Sequence, residues 1–264
     1  SNLMASNAAR NLGVSYSDLS QSVQRLSSGL RINSAKDDAA GLAVRELMLA
    51  DIAVLNQGTR NAQDGISMLQ TMEGAMNQID NFLVRLQSLA EQATTESYSS
   101  TQRGIMNNEF GEVIAEIDRI AQNTKFNGTA MLDNSCSISI HFGELTSDKI
   151  DIEGSDLTSA SSGLNLDDLE IGTAASAKAA LTTIENAIKS KDSARAEFGY
   201  KMNRLEGTVN VLNIQAENMM AAESRISDVD VATEMASMTR NQVLAQAGVA
   251  MLSQANTMPQ MALT

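Results

Sequence analysis

The sequence predicts a mainly α protein: a long antiparallel helical bundle or coiled coil formed by both chain ends, with a small β-hairpin region in the middle. Three observations predict it. Proline occurs once, at Pro259, so no proline breaks a helix across the body of the chain. Toward each end, apolar residues recur every three or four positions. In the middle that period gives way to alternation. Composition points the same way. Aromatic residues make up 3% of the 264 and tryptophan is absent, while small and unbranched side chains dominate. Such side chains favour closely packed helices over a wide globular core.

The elements follow in order. Leu12, Tyr16, Leu19, Val23, Leu26 and Leu30 are spaced 4, 3, 4, 3, 4, which is a heptad seam facing a partner helix. Gly29 loosens or ends that helix, and Ser34 with Asp37 reads as a capping box opening the next. The apolar stretch from Leu42 to Leu55 is helical in pattern and is expected to stop at Gly58. A longer helix carries Leu69, Met72, Met76, Ile79, Leu83, Leu86, Ala90 and Ala93 at spacings 3, 4, 3, 4, 3, 4, 3. Thr94 to Ser100 is a polar turn. Ser99 and Gln102 cap a helix with Met106, Phe110, Val113, Ile117 and Ile120 that ends near Asn123.

Ser137 to Phe142 alternates, with Ile138, Ile140 and Phe142 on one face. Ile150 and Ile152 alternate after a turn at Gly143 to Ser147, so the pair reads as a β-hairpin. Residues 153–175 read as loop. Helix resumes from about 176 to 221, with Phe198, Met202, Leu205, Val209, Leu212, Ala216 and Met219 on one stripe. A last helix places Val231, Met235, Met238, Val243, Ala247 and Met251 along one side. The seams at 12–30 and 231–251 are natural partners in a chain that folds back on itself.

The formal net charge is −13, and residues 133–172 hold nine acids against Lys149 alone. That segment is expected to face water. An acidic chain is a poor partner for nucleic acid or an anionic membrane, which want clustered Lys and Arg. No run of about 18 apolar residues is present to insert into a membrane. Nor does a basic-then-apolar leader open the sequence, so secretion would need a route without a cleaved signal peptide.

The sequence holds little with which to do chemistry. His141 is the only histidine and Cys136 the only cysteine, too few for a zinc site or a disulfide. No metalloprotease H-E-x-x-H, phosphate loop or dinucleotide glycine motif occurs. The acid pairs Asp37–Asp38 and Asp167–Asp168 point apart on any helix, and Asp228 with Asp230 lacks the rest of a calcium loop. The expected inventory is no catalytic, cofactor or metal residue. What remains is interaction surface: terminal helices rich in Ala, Ser, Gln and Asn, weak alone and ordered when neighbours add burial.

Three motifs then become specific. LSSGLRINSAKDDAAGLA, from Leu26 to Ala43, closely resembles the N-terminal signature of bacterial flagellin. ESRISDVDVATEMASMTRNQVLAQAGVAMLSQAN, from Glu223 to Asn256, resembles the C-terminal signature. AEIDRIAQNTKFNGTAML, from Ala115 to Leu132, resembles the family's inner-core segment. The hook–filament junction protein shares the end motifs, and the inner segment favours flagellin over it. The resemblance covers all but about 133–172 and identifies a short flagellin without large outer domains.

The resemblance implies an inner coiled-coil domain from residues 1–40 and 224–264. It implies a helical core domain from 41–132 and 173–223, and a short variable outer hairpin and loop at 133–172. It implies a structural subunit of an extracellular filament that serves swimming. The filament-assembly seam would be Leu12, Leu19, Val23, Leu26, Leu30, Val231, Met235, Met238, Val243, Ala247 and Met251. Implied partners are further copies of the chain, the flagellar cap and hook-associated proteins, and an export chaperone at the C-terminal segment. Export runs unfolded through the type III channel. Toll-like receptor five reads one patch in many flagellins; the matching positions are Arg85, Leu89 and Glu109, and the family's acid before that leucine is Ser88 here. Flagellins extend a few residues beyond Asn2 and Thr264, so trimmed termini are expected.

Overall fold

The computed structural model describes residues 3–133 and 136–261, with side chains as far as 257. The expectation about trimmed ends, at Asn2 and Thr264, lies outside them. Five helices and two small antiparallel β pairs make up the described chain. It divides into two compact units: Ser1–Ala53 with Ala216–Thr264, and Val54–Gln215.

The first unit contains α1 (Leu3–Ser28), the start of α2 (Ala39–Thr94), the end of α4 (Ala174–Ser227) and α5 (Val231–Met261). Helix α1 ends because Gly29 takes φ +74°, where its N–H donates to the Arg25 carbonyl at 2.8 Å. The expected capping box at Ser34 is displaced. The Asp37 carboxylate folds back onto the backbone N–H groups of Asn33 and Ser34 and the Ser34 hydroxyl, closing a turn. These bonds, the Ser34 hydroxyl first, hold the Asp37 carboxyl below the usual aspartate value. Asp38 is the residue that caps α2, accepting from the Gly41 N–H at 2.9 Å.

Helix α2 continues through Gly58 for 56 residues, against the expected interruption. The glycine answers a packing demand rather than a break. A Cβ there would lie 2.2 Å from the Phe142 carbonyl oxygen, so only Gly lets the hairpin backbone rest on the helix.

The second unit is built on that helix. All eight residues of the stripe from Leu69 to Ala93 are buried. Helix α3 (Ser100–Asn123) opens with the expected capping box: Gln102 N–H donates to the Ser99 hydroxyl and the Gln102 side chain accepts from the Ser99 N–H. It contributes Phe110, Ile114 and Ile117 to the core, and α4 contributes Ile184, Phe198 and Leu205. Helices α2 and α4 run antiparallel, tied by Arg195 to Glu73 at 3.1 Å and by Lys191 to Asp80. Lys191 is 2% exposed. Burial disfavours its charge, but hydrogen bonds and attraction from Asp192 and Asp80 outweigh that and hold its pKa above the usual lysine value. Helix α4 runs from Ala174 to Ser227, longer than the expected 176–221.

After α3 comes a hairpin that the periodicity does not reveal. β1 (Lys125–Phe126) pairs with β2 (Thr129–Ala130) across Asn127 and Gly128, at φ +49° and +82°. Asn-Gly with both residues left-handed is the tight hairpin turn matching strand twist. The expected second hairpin forms as β3 (Ser137–His141) against β4 (Lys149–Glu153), with Ile138 opposite Ile152 and Ile140 opposite Ile150. Ile150 and Ile152 are buried, while Ser139 and Asp151 face outward.

Residues 154–173 form no helix or strand, as expected of a loop, yet they are well anchored. Leu157, Leu164, Leu166 and Ile171 join the core. Ser159 is 1% exposed and donates its N–H to Asp118 at 2.6 Å and its hydroxyl to the same carboxylate at 2.7 Å. The acidic segment therefore divides: Glu144, Asp151, Glu153 and Asp167 to Glu170 hold exposed acids, while its apolar side chains turn inward.

Candidate self-assembly surface

The terminal helices α1 and α5 pack antiparallel within the first unit. On α1 the less exposed stripe is Ala5, Ala8, Leu12, Ser15, Leu19, Ser22 and Leu26. On α5 it is Glu234, Met238, Asn241, Ala245, Gly248, Leu252 and Ala255. Both stripes step by three and four, as the sequence requires of a coiled coil. Their make-up differs from the expected one. Leu12, Leu19 and Leu26 are shared, but Ser15 and Ser22 alternate with them where Tyr16 and Val23 were expected. Small side chains let the helices close up: a Cβ on Gly248 would lie 3.1 Å from Leu12 Cδ1. Arg25 closes the seam against Glu234 at 3.6 Å.

The two helices enter this pair through a pinned junction. Leu30 bridges Asp228. Arg31 donates its N–H to the Ser227 carbonyl at 2.6 Å, and Val229 donates to the Gly29 carbonyl at 3.0 Å. The Arg31 guanidinium reaches the Ile226 carbonyl at 2.6 Å, and Ile32 beneath is 1% exposed. Arg45 on α2 holds Glu223 on α4 at 3.1 Å. Asp230 caps α5 by accepting from Thr233 and from the Ala232 N–H. The Thr233 hydroxyl first, then the backbone N–H groups, hold its carboxyl below the usual aspartate value.

The larger apolar side chains point elsewhere. Val23, Val231, Met235, Val243 and Met251 are all at least 45% exposed, and Ala247 is exposed too. Leu12, Leu19, Leu26, Leu30 and Met238 are half-buried. The eleven residues expected to form one seam thus divide: Leu12, Leu19, Leu26 and Met238 lie in the α1–α5 contact, Leu30 in the junction beyond α1, Ala247 and Met251 at the mouth of a cavity beside that contact, and the rest are exposed. Leu3, Val14, Tyr16 and Val249 are exposed as well, on more than one side of their helices. Leu3, Val14 and Val249 were missed; the available signal was apolar residues standing outside the heptad register. A cavity of about 390 Å³ opens between the helices, lined by Met4, Leu12, Leu244 and Met251 among others.

The second expected patch also divides. Arg85 Nε donates to Glu109 at 2.8 Å, both side chains about half exposed. Leu89 is 2% exposed and belongs to the core of the second unit.

No catalytic arrangement gathers around the remaining candidates. His141 lies exposed on β3, with its carbonyl accepting from Asn61. Cys136 is buried against Met131 Sδ at 3.7 Å, and burial raises its thiol pKa. Among the described residues no group of three or more His, Cys, Asp and Glu could hold a metal, and no helix is long and apolar enough to cross a membrane.

The family description "Bacterial flagellin N-terminal helical region" matches residues 1–137, and "Bacterial flagellin C-terminal helical region" matches residues 181–264. The chain is 41% identical to a flagellin of Halalkalibacterium halodurans, over 98% of this chain and 96% of that one. It is 40% identical to the flagellar filament 33 kDa core protein of Treponema phagedenis, over 100% and 97%. The crystal structure of Bacillus cereus flagellin is similar at a TM-score of 0.53 and 32% identity, covering 62% of this chain and 94% of that one. The chain belongs to the bacterial flagellin family: it is a structural, non-enzymatic subunit of the flagellar filament, which stands outside the cell and serves motility.

Proposed function

We propose that the α1–α5 pair is the element through which copies of this subunit join, and that its ordering is coupled to assembly. One observation carries this reading: the terminal helices fully bury Ser22, Ala245 and Ala255, cover Leu12, Leu19 and Leu26 only in part, and leave Val14, Tyr16, Val23, Val231, Val243 and Met251 exposed. Burying a large aliphatic side chain stabilises by about 1.5–3 kcal/mol, and burying Ala or Ser gives far less. Ordering each residue costs about 1–2 kcal/mol of backbone entropy. The pair is therefore marginal alone and firm once neighbours cover its outer face. In this reading residues 1–40 and 224–264 are the inner coiled-coil domain. Residues 41–132 and 173–223 are the helical core domain, and 133–172 the outer segment.

The same weakness suits export. A chain without a disulfide, with marginal ends, passes unfolded through the type III channel without a cleaved signal peptide. An export chaperone covers the apolar face of α5 until then. The cap and hook-associated proteins meet the filament through the same terminal helices. Toll-like receptor five engages Arg85 and Glu109, whose half-exposed charges are accessible, whereas Leu89 serves the core.

The test is polymerisation followed by electron microscopy. Val243→Asp places a charge on a residue 58% exposed, so the subunit keeps its helicity but does not grow filaments. Leu26→Asp strikes the seam between α1 and α5, so it loses terminal helicity as well. Filaments of wild-type length from Val243→Asp sink the proposal.

A further inference from the structure

One charged side chain stands in the core stripe of α4. The buried residues Ala180, Ile184, Ala187, Lys191, Ala194 and Phe198 follow at spacings 4, 3, 4, 3, 4, so Lys191 occupies a heptad core position. Its side chain is 3% exposed. The ammonium pairs with Asp80 on α2 and, at 2.8 Å, with Asp192 on its own helix. An apolar residue of the same size would fill this place without a charge to satisfy. Replacing a buried ion pair by apolar side chains is often neutral or stabilising. Stability alone therefore does not account for this lysine.

Alignment does. The stripe that α4 faces on α2 repeats every seven residues, as in Leu69, Met76, Leu83 and Ala90. A slide of α4 along α2 by one heptad, about 10 Å, sets apolar residues against apolar residues again. The side chains that meet are poor judges of the difference. Ala180, Ala187 and Ala194 have little shape, and Met72 and Met76 adapt to what they touch.

The ion pairs are not indifferent. The helices run antiparallel, so a slide in one direction sets Lys191 level with Gln87, which carries no charge. A slide in the other direction sets Lys191 level with Glu73. It would then compete for the carboxylate that holds Arg195 at 3.1 Å, and Asp80 would come level with Ile184. Of the three alignments, only the observed one gives Lys191 and Arg195 an acid each across the interface.

We infer that Lys191, through Asp80, is a register pin that gives up apolar burial to fix the axial alignment of α2 and α4. A lone polar residue at a core position fixes register between helices in this way, at a cost in stability. The inference concerns how the second unit selects its fold, and it stands whether or not the terminal helices drive assembly.

The test uses the full chain with Lys191→Met, which keeps an unbranched side chain and removes the charge. Its urea midpoint should equal or exceed that of wild type. Alignment is read from the distance between spin labels at Gln70→Cys and Lys178→Cys, exposed sites far apart along the helix pair, in a Cys136→Ala background. With Lys191 present one distance is expected. In Lys191→Met a second population should appear, displaced by about 10 Å. A single distance in Lys191→Met overturns the inference. So does a lowered midpoint, because the lysine would then hold the fold together rather than select it. In a second arm Asp80→Asn removes the partner across the interface and leaves Asp192. The midpoint should fall, and adding Lys191→Met should restore it. An unchanged midpoint would mean that Asp192 on the same helix suffices for Lys191. That result, or a fall that Lys191→Met does not reverse, also overturns the inference.

Discussion

Gly58 and Gly74 stand on the same helix and should respond oppositely to the same substitution. At Gly58 a new methyl would press on the Phe142 carbonyl from 2.2 Å, a backbone group that cannot swing aside. Gly58→Ala should therefore destabilise the monomer by about 1–3 kcal/mol, the usual range for forced overpacking. At Gly74 the methyl meets nothing within 4 Å. Gly74→Ala should stabilise by about 1 kcal/mol through helix propensity alone. Urea unfolding of the two variants checks this, and a shared sign would mean the Phe142 contact is not what keeps Gly58. In sequence Gly58 reads as the end of a helical stretch, while Gly74 lies within the next one, between Met72 and Met76. Only the hairpin's position over α2 gives their opposite responses.

At the scale of the element, the start of α5 is sensitive to acid. Asp230 has a folded pKa below its unfolded value, so its capping contribution is complete above the unfolded value. That contribution is lost as pH falls through the folded pKa, when the carboxyl protonates and no longer attracts the first N–H groups of the helix. Asp230→Asn keeps a capping oxygen without a titrating charge. Amide protection along the first turns of α5 should decline in acid for wild type and stay flat for the variant. A parallel decline in both would show that the acid response comes from another group. In sequence Asp230 stood out only beside Asp228 as an incomplete calcium loop, although an Asp before a helical run makes the cap legible. The capping box expected at Ser34 did not form, because Ser-x-x-Asp also closes a turn, and the choice depends on where the following chain can continue as helix.

The whole molecule combines two units of very different cohesion. The second buries Leu, Met, Ile and Phe side chains from three helices and the β3–β4 hairpin. In the first, the terminal helices bury Ser22, Ala245 and Ala255, and none of their larger apolar side chains is fully covered. Local opening follows such differences in burial. Brief trypsin treatment of the monomer should remove about 40 residues from each end and spare the stretch from about 41 to 223. The same treatment of the filament should leave both ends intact. Ends that resist in the monomer would contradict the coupling of order to assembly.

What the sequence by itself determined was periodic and local. Heptad spacing, a single proline, the Ser99–Gln102 box and the alternation of Ile138, Ile140, Ile150 and Ile152 were enough for the helices, the hairpin and the antiparallel return of the ends. The three flagellin motifs were enough for the family. Only the tertiary structure decided which side of each helix faces what. Sequence favours the largest apolar residues as seam, so Tyr16, Val23 and Val243 were expected inside. Between α1 and α5 the closest packing instead goes to the smallest side chains, because helix separation shrinks with side-chain size. Tyr16, Val23 and Val243 are left exposed, where the proposed assembly would bury them.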